Sequence, residues 1–172
     1  MLSFLSDRNT PSASQTETPP PKWQVYFSPR GGATSAKVQA LNNAKSTVLV
    51  QAYSFTSHPI ADALVRAHRR GVEVQAILDR SKRTQKYNTA DMLVRVGIPV
   101  LIDASHAIAH NKVMIIDNDV GVTGSFNFTK AVEERNAENL LIIRNKQITA
   151  LYVGNWRLDK DHSSPFYPQA LR

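Results

Sequence analysis

The sequence predicts an α/β fold, a mixed β-sheet flanked by helices. Three features point there. Short β-branched runs alternate with amphipathic helical stretches through the first half. The second half is richer in strands than in helices. One run, Lys112 to Ile116, is apolar on both faces, which suits a strand in the middle of a sheet.

The elements follow in order. Residues 1–22 are rich in Ser, Thr and Pro and end in Pro19-Pro20-Pro21, so they read as a disordered tail or linker. Residues 23–172 form the single folded domain. Trp23 to Phe27 is a short strand, and Pro29-Arg30-Gly31-Gly32 punctuates it. Residues 34–45 carry Val38, Leu41 and Ala44 at helical spacing. Thr47 to Tyr53 is a buried strand. His58 to Arg70 is an amphipathic helix with Ile60, Leu64 and Ala67 inward and Gly71 as its stop. Val72 to Leu78 is a strand, Tyr87 to Val96 a helix closed by Gly97, and Pro99 to Ile102 a short strand. Lys112 to Ile116 and Val120 to Thr123 are adjacent strands joined at Asp117-Asn118-Asp119. Leu140 to Ile143 is a further strand. A last helix is expected to turn Ile148, Leu151, Tyr152 and Trp156 inward. No internal repeat is present.

With 172 residues the chain has room for one domain with a real core. The net charge is +7, and a basic excess favours polyanionic partners through counterion release, although ordinary solubility charge accounts for it equally well. There is no cysteine, which excludes disulfides, cysteine nucleophiles and cysteine zinc sites. No apolar run approaches the roughly 18–20 residues of a membrane span, so no integral membrane segment is expected. Met1-Leu2-Ser3-Phe4-Leu5 lacks the basic flank and the length of an export signal. The compartment stays open: periplasmic or secreted if a signal has been removed, cytoplasmic otherwise.

The chemistry concentrates between Ala109 and Asn127. His110 and Lys112 are two apart, so on a strand they share a face. Met114 and Ile116 continue that face into the interior, while Val113 and Ile115 take the other. Neutral imidazole is a nucleophile or base near pH 7, and a neighbouring ammonium neutralises phosphate oxygens. Ser125 and Asn127, also two apart, can donate to the same oxygens, and Gly124 allows close backbone approach. Glu138 could hold one imidazole nitrogen as a donor and leave the other free to attack.

His-x-Lys-x4-Asp-x6-Gly-Ser-x-Asn, complete from His110 to Asn127, resembles the signature of the phospholipase D superfamily. Ala52-Tyr53-Ser54-Phe55-Thr56, Arg70-Gly71-Val72-Glu73-Val74, the run from Thr123 to Ala131, and Asn136-Ala137-Glu138-Asn139 resemble its small bacterial endonuclease branch, the Nuc-type nucleases. The resemblance spans about residues 23–160 and implies a phospholipase D-like sheet with helices on both faces and one motif copy per chain. It implies a metal-independent phosphodiesterase that passes through a phosphohistidine, with a second histidine as the acid. By matching position, His110 is the nucleophile or acid, Lys112 and Asn127 clamp phosphate, Ser125 hydrogen-bonds in the site, and Glu138 orients the histidine. Asp117 is the motif aspartate, with a supporting role, and is equally well read as a turn residue. One motif copy where two histidines are needed implies a homodimer with its two-fold axis through the site. No cofactor and no metal are expected.

Other features carry two readings. Arg80, Lys82, Arg83 and Lys86 are either a solvated loop or a phosphate-contacting rim. His106 and His110, four apart, invite a zinc site, but the segment is a poor helix and no glutamate follows His106. Tyr53 and Phe55 are core residues or base-stacking platforms, core being favoured. The leading expectation is a non-specific endonuclease acting on DNA, with RNA left open as a further substrate. A phospholipid hydrolase is the runner-up, and an inactive nucleic-acid-binding protein the third reading.

Overall fold

The computed structural model describes residues 22–82 and 89–168. The expected tail therefore lies, up to Pro21, outside the described residues. The chain runs β1 (Trp23–Ser28), α1 (Ala33–Asn42), β2 (Thr47–Ala52), α2 (His58–Arg69), β3 (Glu73–Asp79), a 3-10 turn (Arg80–Lys82), α3 (Thr89–Arg95) and β4 (Val100–Asp103). It continues β5 (Lys112–Ile116), β6 (Val120–Gly124), α4 (Lys130–Glu134), β7 (Glu138–Arg144), α5 (Lys146–Asp161) and β8 (Ser164–Pro165). The strands form one mixed sheet ordered β1-β7-β6-β5-β2-β3-β4-β8. β2, β3 and β4 are parallel, and every other pairing is antiparallel.

Period-two alternation divides the side chains between two layers. Val48, Val50, Val74, Ala76, Met114, Ile116, Val122, Leu140 and Ile142 face one side and pack with Leu41 of α1 and Ile60 and Leu64 of α2. The other side is thinner: Ile77, Val113 and Ile115 meet Val153 and Trp156 of α5. Trp156 satisfies its buried indole by donating to the Val50 carbonyl at 3.0 Å. β5 is fully buried along its length and sits inside the sheet, as its two apolar faces require.

Local chemistry sets the helix ends. Pro59 stands in the first turn of α2, and Gly71 follows the helix at φ +88°. Glu133 caps α1 from 99 residues away, accepting from Gly32 N at 3.2 Å and Thr34 N at 2.8 Å. α1 ends at Asn42 rather than running to residue 45, because the amides of Lys45, Ser46 and Thr47 turn instead to the Asp117 carboxylate. α5 begins on Asn145, whose side chain accepts from Gln147 N and Ile148 N.

One expectation fails in α5. Its buried line is Thr149, Val153, Trp156 and Asp159, spaced as one helical face. Of the four residues expected inward, Trp156 is buried, Tyr152 packs only partly, and Ile148 and Leu151 face outward, Leu151 at 75% exposure. The helix turns its most apolar stripe away from its own sheet. No helix among the described residues is long and apolar enough to cross a membrane.

Candidate active site

The register brings strand ends from β1, β7, β6, β5, β2 and β3 together along one edge of the sheet, with β4 and β8 continuing the same edge. Ala52 at the end of β2 lies opposite Lys112 at the start of β5. Gly124 at the end of β6 lies opposite Leu140, and Ser28 at the end of β1 opposite Glu138 at the start of β7. β3 ends beside β2, in parallel. His110, Lys112, Ser125, Asn127 and Glu138 all sit on or next to these ends.

β5 starts at Lys112, so His110 lies in the chain entering the strand and is exposed. Lys112 is 8% exposed. Its Nζ donates to the His110 carbonyl at 2.6 Å and lies 3.1 Å from His110 Nδ1. Burial pulls the Lys112 ammonium below the usual lysine range, and Glu138 partly offsets it. The Tyr53 ring completes the group, tilted against the imidazole at 4.5 Å between centroids and 5.2 Å from Lys112 Nζ. Tyr53 therefore belongs to the site, whereas Phe55 is core, edge-on to Phe128 at 5.8 Å.

Ser125 and Asn127 occupy the turn that leaves β6. Ser125 Oγ accepts from Asn139 N at 3.1 Å and from its side-chain amide at 3.3 Å. Gly124 has φ +140°, and a Cβ there would lie 2.3 Å from the Asn139 carbonyl oxygen, so only glycine fits. Asn127 Oδ1 is buried with no hydrogen-bond partner among the described residues, an orphan of the kind functional sites carry. Beneath this turn Lys37 is fully buried, donates to the Phe126 carbonyl at 3.3 Å and lies 4.1 Å from the centroids of both Phe126 and Phe128. Burial drives its pKa well below the ordinary lysine value, against the raising effect of Glu133. Sequence reasoning missed Lys37, since a lysine on an amphipathic helix ordinarily faces water.

Two expectations shift. Glu138 takes a 3.4 Å hydrogen bond from the Asn136 side chain, and among the described residues none joins it to His110. Within one chain it acts on Lys112 instead. Asp117 is not brought to the site at all. It follows the far end of β5, about 17 Å of extended chain from Lys112. There it accepts from the backbone N–H groups of Lys45, Ser46 and Thr47 and from the Ser46 hydroxyl, at 2.7–3.2 Å. Burial alone would raise its pKa, but these bonds together hold it below the usual carboxylate range. Asp117 is at φ +54°, and its place in the motif is that of a clasp between β5 and β2.

Of the basic cluster, Arg83 and Lys86 lie outside the described residues, as does the side chain of Lys82. Arg80 is exposed after β3, with one long bond of 3.5 Å to the Ala104 carbonyl. His106 does not approach His110 as a zinc pair: its ring meets Asp103 and His162.

Residues 38–156 match the family described as "Cardiolipin synthase, PLD-like domain". A phospholipase D of Rickettsia typhi is 44% identical over 130 residues, which cover 76% of this chain and 64% of that protein. The chain thus spans somewhat less than two thirds of that relative. Mouse mitochondrial cardiolipin hydrolase is 29% identical over 142 residues, 80% of this chain and 64% of its own length. Among solved structures, Nuc from Salmonella typhimurium, a phospholipase D family member, superposes with a TM-score of 0.82 at 35% identity, covering 85% of this chain and 98% of that one. NucT from Helicobacter pylori superposes at 0.78 with 24% identity, covering 84% and 99%. The sheet, the His110–Asn127 signature and a family match over most of the folded part agree, and the chain belongs to the phospholipase D superfamily.

Proposed function

We propose that the protein is a metal-independent phosphodiesterase, a non-specific endonuclease for DNA, working as a homodimer. The observation that carries the nuclease reading is the fit to Nuc, which this chain covers almost end to end at 35% identity. The +7 charge agrees with a polyanionic substrate. Arg80, Lys82, Arg83 and Lys86 are proposed as a rim that adds salt-dependent affinity without reading sequence.

The chemistry follows from the site. The imidazole of His110 attacks phosphorus and forms a P–N bond as the P–O bond to the leaving strand breaks. His110 of the second copy gives the departing oxygen its proton. The same ring then takes a proton from water, whose oxygen attacks phosphorus and releases the first imidazole. Lys112, Ser125 and Asn127 hold the non-bridging oxygens and offset the charge that develops on them. A cationic Lys112 at Nδ1 leaves the His110 proton on Nε2, the form that donates. Attack from Nε2 needs the proton on Nδ1 with a carboxylate to accept it, the task assigned to Glu138 once the two copies meet.

Three observations support the dimer. One chain holds one motif histidine. Trp23, Val25 and Phe27 alternate along β1 and are exposed. They share a face with Leu141 and Ile143, which is also the side of α5, because a Cβ on Gly121 would meet both Ile143 and Thr149 on that face. With outward Ile148, Leu151 and Leu158 they leave apolar surface uncovered by the chain itself.

The names of the Rickettsia and mouse relatives favour a second reading, a phospholipid hydrolase with the same chemistry. Supercoiled plasmid DNA and phosphatidylcholine or cardiolipin vesicles, each with wild type and His110→Ala in excess EDTA, separate the readings. Plasmid nicking by wild type, cut at least ~10³-fold in His110→Ala, is expected. Vesicle hydrolysis without nicking would establish the lipid reading. DNA binding without cleavage would leave an inactive nucleic-acid-binding protein.

A further inference from the structure

Three strands along the same sheet edge from β5, four side chains from two distant segments converge on the α5 side of the sheet: Asp103 at the end of β4, His106 just after it, Asp159 in the last turn of α5 and His162 beyond it. One ligand atom from each lies within 4.8 Å of all the others. Asp103 Oδ2 is 2.7 Å from His106 Nδ1 and 3.5 Å from His162 Nε2, and Asp159 Oδ1 is 3.9 Å from the same Nε2. Tetrahedral zinc with ligands at 2.0–2.1 Å sets its donors about 3.3 Å apart, so shifts of about an ångström would close the set.

The carboxylates are already aimed. Asp103 Oδ1 accepts from Ser105 N at 3.0 Å and His106 N at 3.3 Å, which leaves Oδ2 to the two imidazoles. Asp159 Oδ2 accepts from the side-chain amides of Gln51 and Asn155, which leaves Oδ1 toward His162. Such outer hydrogen bonds are how proteins fix metal-ligating carboxylates. Both aspartates are buried, while the His106 and His162 side chains are 50% and 34% exposed, so the cluster opens to solvent on its histidine side. Two buried carboxylates facing two imidazoles form a charge-compensated N2O2 set suited to a first-row divalent cation.

We propose that Asp103, His106, Asp159 and His162 bind one divalent cation of the zinc class. The cation clamps the end of α5 and the segment after β4 to the sheet. It takes no part in the hydrolytic chemistry, and the proposal does not depend on the nuclease reading. The clamp joins structure the chain already couples: β8 pairs with β4, and Ser105 Oγ reaches the His162 carbonyl at 3.5 Å. The alternative is a metal-free network, in which burial acts to raise Asp103 but hydrogen bonds from His106 and Ser105 hold it low, and the bond to Asp103 raises His106.

The test is zinc titration of tag-free, chelator-dialysed full-length protein, read by calorimetry and thermal melting, with Mg²⁺ as the comparison ion. The expected result is one Zn²⁺ per chain with a raised midpoint and no response to Mg²⁺. His106→Gln and His162→Gln should each weaken zinc at least tenfold. Both side chains are partly exposed and glutamine keeps a hydrogen-bonding amide, so both variants fold. His110→Ala should bind zinc as wild type does. Amide exchange of residues 104–109 and 161–164 should slow on zinc addition. No zinc binding, equal binding by the glutamine variants, or loss in His110→Ala would overturn the proposal.

Discussion

Asp117 and His106 show how a residue's meaning depends on what its backbone permits. Asp117 stands at a fixed spacing in a catalytic signature, yet its carboxylate is spent on three backbone amides and a hydroxyl at the opposite sheet edge. Its folded pKa lies below its unfolded value, so its stabilisation is fully present above the unfolded value and is lost as pH falls through the folded one. Asp117→Asn should therefore cost about 1–2 kcal/mol at neutral pH, discounted for its partial exposure, and the difference from wild type should shrink on acidification below the carboxylate range. Urea melts at pH 7 and near pH 3 measure this. Plasmid nicking per folded molecule should survive, and its loss would return Asp117 to the chemistry. The turn reading of Asp117 was open from the sequence because Asn118 and Asp119 follow it. The partner amides of Lys45 to Thr47 were not, since nothing local links positions seventy residues apart. His106 is the converse case. Spacing along the chain offers His110, whereas the fold offers His162.

At the scale of elements, strands and helices were legible wherever one periodicity dominated. β5 declared itself a central strand through two apolar faces, and α2 through Ile60, Leu64 and Gly71. α5 was misread because it carries two apolar lines. Thr149, Val153 and Trp156 bury against the sheet, and Ile148, Leu151 and Leu158 do not. Hydrophobicity ranks the second line higher, but the inward line needs small or hydrogen-bonding residues: Thr149 Oγ1 bonds the Asn145 carbonyl at 2.7 Å, and Trp156 bonds Val50. The outward line is left uncovered among the described residues, and the proposed dimer would bury it. Leu151→Glu tests it. Leu151 is mostly exposed within the chain, so the variant should fold with an unchanged circular dichroism spectrum. It should raise the dimer dissociation constant at least tenfold, about 1.4 kcal/mol or more, by sedimentation across a concentration series. An unchanged constant would remove α5 from the interface.

At the scale of the molecule, the proposed mechanism makes the site of one chain half of a centre. One sheet edge supplies one His110, one Lys112 and one Glu138, and among the described residues Glu138 has no bond to the imidazole it is proposed to orient. The signature and its flanks pointed to the candidate residues, and the absence of a repeat led to the proposal of a second copy. The packing of Lys37 beneath the Phe126 turn and of Tyr53 on His110 became visible only when the register brought the strand ends together. A two-fold site has a quantitative consequence. If each dimer holds one centre built from both His110 rings, a mixed dimer of wild type and His110→Ala is dead. After subunit exchange, activity should then follow the square of the wild-type fraction, so an equimolar mixture retains about a quarter of the unmixed wild-type rate per total protein. Independent sites would retain about half. Co-refolded mixtures assayed on plasmid DNA across the full range of fractions distinguish the curve from the line, and a straight line would mean that each chain completes its own centre.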